Sequence, residues 1–193
     1  MAVPGPQAAV FSKVEAPLPN AQHPTWTLSG FGDEVDPDPK VQVAVLQALG
    51  ASHIEVRSAW GTNVSELDDA QVAELKAVLD GAGMKVSAVA SPIGKVDISL
   101  PADHEVTRLR RIIEVAKALD TRYIRLFSFF RAADQTPEDI RDAVMERMSL
   151  MAAEAEGAGV VLIHENEKEI YGDTPERVLD ILETVNSPAL RAA

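Results

Sequence analysis

Apolar residues recur along this chain in two alternating rhythms. Stretches with apolar positions three and four apart end on a glycine or another small residue, and each gives way to a short β-rich run and a polar loop. The runs Thr27–Phe31, His53–Arg57, Lys85–Ser91, Tyr123–Phe129 and Val160–Asn166 are expected strands, and a sixth begins at Ala189. Strands alternating with helices in this way predict right-handed βαβ units and a parallel sheet.

The helices carry their own punctuation. The first is expected from about Pro39 to Leu49, with Val41, Val45, Leu46 and Leu49 on one face and Gly50 as its stop. A second starts near Asp68, which has capping-box spacing to Gln71; it holds Val72, Leu75, Val78 and Leu79 and stops at Gly81 and Gly83. A third spans roughly Asp103–Leu119 and buries Leu109, Ile112, Ile113 and Ala116, with Asp120 where the first two units use glycine. Helices four and five open on Thr136-Pro137-Glu138 and Thr174-Pro175-Glu176: a hydroxyl cap, a proline in the first turn, and an acid facing the positive end of the helix dipole. The fifth carries Val178, Leu179, Ile181 and Leu182 and ends near Asn186-Ser187-Pro188.

The mean repeat is about 33 residues, and eight such units take about 260, the size of a closed (β/α)8 barrel. The expected fold is therefore α/β of the (β/α)8 TIM-barrel type, incomplete at about five units plus the start of a sixth strand. An open, doubly wound five-strand sheet is the alternative. Residues 25–193 form the expected barrel domain. Residues 1–24 hold five of the twelve prolines without the basic start or apolar run of a signal peptide, and are expected to be a loosely ordered leader.

Composition narrows the partners. Among 193 residues, 30 acids outnumber 18 bases, and the formal charge of −12 disfavours nucleic acid and anionic lipid. With no cysteine there is no disulfide or thiolate metal site, which suits a cytoplasmic protein, and no run reaches the roughly 20 apolar residues of a membrane helix.

Strand alternation places the candidate chemistry. Ile54 and Val56 should face the helices, leaving Glu55 and Arg57 on the opposite face, which is the interior of a barrel; Ile124 and Leu126 likewise leave Arg125 and Phe127 inward. Charges there must pair, bind a metal or meet a polar ligand. An internal ion pair of Glu55 with Arg57 or Arg125 and a substrate role both remain open. Glu165 shares the parity of Val161 and Ile163 and should point into the mouth, whereas His164 should pack toward the helices and Glu167, Lys168 and Glu169 should be solvated. Lys95, in Ser91-Pro92-Ile93-Gly94-Lys95, stands either over an anionic group or in solvent; Trp60 either stacks on a sugar or packs on helix two. Gly30 and Gly32 make no dinucleotide fingerprint.

In their order and spacing, Ser29-Gly30-Phe31-Gly32-Asp33-Glu34, His53-Ile54-Glu55-Val56-Arg57, the Ser91–Lys95 loop, Ile124–Phe129 and His164-Glu165-Asn166-Glu167 resemble the sugar phosphate isomerase/epimerase family of xylose isomerase-like barrels. That resemblance implies a sugar or sugar-phosphate isomerase/epimerase, with Glu165 as a ligand of a divalent metal (Mn, Mg or Zn) and as a catalytic proton carrier. Glu55, Lys95 and Arg125 would contact substrate. The family's other ligands, an Asp, a His and a Glu on later strands, are not in this sequence, so the chain alone is expected to be inactive, with an incomplete metal site. The alternative is a catalytically silent fragment or small-molecule binding domain completed by self-association through open sheet edges, giving a homo-oligomer. An endonuclease of the same superfamily would need clustered histidines and a basic groove, which four scattered histidines and the acidic balance do not supply.

Overall fold

The structure, a computed structural model, describes residues 26–193; the leader expected over residues 1–24 lies outside them. Six parallel strands, β1 (Ser29–Phe31), β2 (His53–Val56), β5 (Lys85–Val89), β6 (Tyr123–Leu126), β7 (Val161–His164) and β8 (Leu190–Ala192), lie side by side in chain order. A sheet ordered this way, with same-handed crossovers, has all its helices on one face. It is singly wound, as in a barrel, and the doubly wound alternative is excluded. Its edges β1 and β8 do not pair with each other, so the barrel is not closed.

Five helices cover the outer face: α1 (Pro39–Ala48), α2 (Asp69–Gly81), α3 (Ala102–Ala118), α4 (Pro137–Ala158) and α5 (Pro175–Val185). Their starts are those the sequence encodes. Asp68 and Gln71 form a reciprocal capping box on α2, and the Thr136 and Thr174 hydroxyls accept from the backbone N–H three residues on. Asp120 takes a left-handed conformation (φ 56°), the geometry its place at a helix stop demands. A small antiparallel hairpin, β3 (Ser58–Ala59) with β4 (Thr62–Asn63), follows β2; its turn contains Trp60, partly buried against the core.

The core fills the space between sheet and helices. Ile54, Val56, Ile124, Leu126 and Leu162 meet Leu75, Leu79, Leu109, Ile112, Val144 and Met148 there. The α1 face differs from expectation. Gln42, Val43 and Leu46 are buried, while Val41 is 39% and Leu49 70% exposed. Gln42 turns inward because its amide donates to the Asp36 and Ser58 carbonyls, pinning the β1–α1 loop to β3. On α5 only Ile181 is fully buried, and Leu179 is largely exposed beside β8. A bulge between β2 and β5 shifts register so that Ile54 pairs with Val86 but Glu55 with Ala88. The extra residue, Ser87, shares a hydrogen bond with Ser29 (Oγ–Oγ 2.7 Å) and donates to the Ile54 carbonyl. Among the described residues no helix is long and apolar enough to cross a membrane.

Candidate functional site

The sheet's inner face and the loops at the carboxyl ends of its strands gather the charged residues. Arg125, on β6, is buried, yet its guanidinium is placed to use its donors: Nη2 donates to the Ala90 carbonyl at 3.2 Å and Nη1 to Glu165 Oε2 at 3.3 Å. Its Nε, also buried, has no partner among the described residues. Glu165 leaves β7 on the inner side, held there as its backbone N–H donates to the Leu126 carbonyl, and its side chain is 39% exposed. His164 points the other way and is buried. Among the described residues both ring nitrogens lack partners, and burial pushes the imidazole down to about 4, so it is neutral.

Glu55 has neither of the ion pairs weighed for it. Its carboxyl is raised above the ordinary value, first by burial and also by nearby Glu165, against the opposing pull of Arg125 and Arg57. Arg57 turns instead to Asp33, at 2.8 Å, and Glu34, at 3.3 Å. The reason is topological, since β1 lies beside β2 and its exit loop carries both acids within reach. Ser58 donates a further hydrogen bond to Asp33. Burial works to raise the Asp33 carboxyl, but the Arg57 and Ser58 bonds together outweigh it and hold it below its ordinary value.

Aromatic rings separate the cations. Arg57 lies 4.8 Å and Arg125 5.6 Å from the centre of the Phe31 ring; Arg125 lies 5.0 Å and Lys95 4.3 Å from the centre of Phe127. Lys95 also forms an ion pair with Glu167, so Glu167 is not the free solvated acid its loop suggests. The Lys95 loop is fixed from below. Gly94 N–H donates at 2.6 Å to Glu105, a buried carboxylate that also accepts from Arg108, and the neighbouring backbone bonds to Phe127 and Phe129.

Glu55, Arg125 and Glu165 thus share one face, and Lys95 joins them through Phe127. Phe31 at the end of β1, Asp33 in the loop that follows it and Glu105 on α3 also build the site, and only the strand-end position of the first two hinted at it. As a metal centre the donor set is short: among the described residues no three His, Asp or Glu side chains come together. Glu165 and Glu55 bring carboxylates, one already engaged with a guanidinium, where a tight divalent site takes three or more protein ligands. These residues alone do not fit a resident divalent cation.

The architecture is widely shared among solved structures. A xylose isomerase-like TIM barrel protein from Mycobacterium smegmatis in complex with magnesium matches with a TM-score of 0.66 at 18% identity, over 86% of this chain and 63% of that one. The IOLI protein with a bound zinc atom matches at 0.69 and 18%, over 85% and 61%. The 3-keto-D-glucoside 4-epimerase YcjR from E. coli matches at 0.67 and 12%, over 85% and 66%. The chain therefore spans 61% to 66% of the length of these three structures. No curated protein sequence matches it. The family model described as xylose isomerase-like TIM barrel matches residues 43–193, and the chain belongs to that family.

Proposed function

We propose that this chain carries the inner face of a carbohydrate isomerase or epimerase acting on a sugar or sugar phosphate. The observation that supports it is the convergence of Glu165, Arg125 and Glu55 at the carboxyl end of the sheet, where barrel enzymes do their chemistry. In this reading Glu165 takes the proton from the carbon next to the sugar carbonyl as the C–H bond breaks. The electron pair moves to the carbonyl oxygen, where Arg125 donates to the developing negative charge. Protonation of the other face of that carbon by a second acid or solvent gives epimerisation; delivery of the proton to the neighbouring carbon, with the hydroxyl proton of the first carbon passing to the former carbonyl oxygen as the new C=O forms, gives isomerisation. Glu55 and Lys95 hold substrate hydroxyl groups. Glu165 is the donor this chain would bring to a divalent metal, and the proton steps above use none.

The test is hydrogen exchange. A panel of aldoses, ketoses and their phosphates is incubated with the chain in D2O containing manganese, and proton NMR follows the signal beside the carbonyl. Deuterium incorporation that falls about 100-fold or more in Glu165→Gln supports the reading. No incorporation into any member removes the proton-transfer role from this chain's own residues and agrees with the inactivity expected of the chain alone.

A second reading has its own observation. Trp26 and Leu28, which lead into edge strand β1, are 81% and 53% exposed, and such an edge invites strand pairing with a second copy of this chain. The chain would then be a binding domain completed by self-association. Sedimentation at equilibrium decides this, since a monomer at high micromolar concentration excludes it.

A further inference from the structure

We infer that this face takes an uncharged, hydroxyl-rich ligand and selects against its phosphorylated counterpart. The inference rests on the carbohydrate reading above and narrows it.

Among the described residues three cations, Arg57, Arg125 and Lys95, reach the inner side, and each is paired with a carboxylate. Arg57 is held by Asp33 and Glu34, Arg125 by Glu165, and Lys95 by Glu167, while Glu55 is one further carboxyl with no cation of its own. Five acids thus stand against three bases. A phosphate dianion entering here would have to displace a carboxylate from its cation and would then remain beside that carboxylate. Two further cations stand in the neighbouring loops: Arg131 donates from Nε to the Gln135 carbonyl, its buried Nη1 has no partner among the described residues and Glu169 lines its cavity, while Lys168 is exposed between the acids Glu167 and Glu169.

The same face suits neutral hydroxyls. Glu55 offers an acceptor, and the Ser29–Ser87 hydroxyl pair offers both donor and acceptor capacity at the bulge between β2 and β5. A sugar hydroxyl, donor and acceptor at once, satisfies such groups without breaking an ion pair. The Phe31 and Phe127 rings have cations close by, so recognition rests on polar groups more than on ring stacking.

The experiment is a matched-pair titration of the full chain by saturation-transfer NMR at low salt. Free pentoses and hexoses are compared with their terminal phosphates, with inorganic phosphate as a separate probe. The best free sugar should bind about tenfold or more tightly than its own phosphate, and inorganic phosphate should not displace it. Glu167→Gln, which releases Lys95, should narrow the gap several-fold by improving phosphate binding. A phosphate ester that binds as well as its parent sugar overturns the inference, as does a Glu167→Gln chain with an unchanged gap. Binding of neither class removes the carbohydrate reading itself, whereas a preference for phosphate esters leaves that reading standing.

Discussion

Arg125 reaches Glu165 at 3.3 Å from a site where only 8% of the arginine side chain is exposed, while 39% of the glutamate is. The pair is lopsided, with a buried cation on an acid that still meets solvent. Removing the acid strands the cation, whose remaining hydrogen bond is to the Ala90 carbonyl. Glu165→Ala should therefore destabilise the fold by about 1–2 kcal/mol, less than a fully buried pair would lose. Arg125→Met, which removes the charge and keeps an apolar stem, should cost no more than that. Urea midpoints at pH 7 check both, and an Arg125→Met chain more than twice as damaged as Glu165→Ala would refute the assignment.

Gly94 should tolerate no side chain. Its φ is +83°, and a Cβ there would lie 2.1 Å from the Phe127 carbonyl oxygen, which is backbone and cannot swing aside. Gly94→Ala should cost about 3 kcal/mol or more, whereas Gly83→Ala, at φ +66° but in open space, should cost about 1 kcal/mol. Equal losses in thermal or chemical unfolding would contradict the close approach.

Glu105 should govern the order of the Lys95 loop. Glu105→Ala leaves the Gly94 N–H without its acceptor in a buried setting, at about 2 kcal/mol, while Glu105→Gln keeps an acceptor oxygen and should lose less. Amide exchange at Gly94 and Phe129 should accelerate in the alanine variant well beyond exchange in α2. Unchanged protection there would show that the loop does not depend on the carboxylate.

His164 should make the fold acid-sensitive. Its pKa is lowered from 6.5 to about 4, so the unfolded chain binds a proton at pH 5 that the folded chain refuses. The stability this residue contributes is complete above about 6.5 and declines as pH falls toward 4, by about 2 kcal/mol between pH 7 and pH 5. Among the described residues neither ring nitrogen has a partner to lose, so His164→Leu should remove that part of the decline at little cost at pH 7. A variant with the wild-type slope over this range would place the sensitivity elsewhere.

The sequence by itself determined the repeating unit, the order of strands and helices, and the side each strand residue faces. These follow from local rules: side-chain alternation put Arg125 and Glu165 inward and His164 outward, and Asp68, Thr136 and Thr174 cap the turns that begin beside them. Helix faces were legible where the apolar stripe was broad, as in α3. In α1 a buried glutamine held by two carbonyls rotates the buried stripe away from the face that the apolar spacing predicts. Only the tertiary structure decided which charge meets which. Arg57 takes Asp33 rather than Glu55, Lys95 takes Glu167, and Gly94 takes Glu105, because strand neighbours and loop crossings bring together groups that are distant in the chain, and no local period records that meeting.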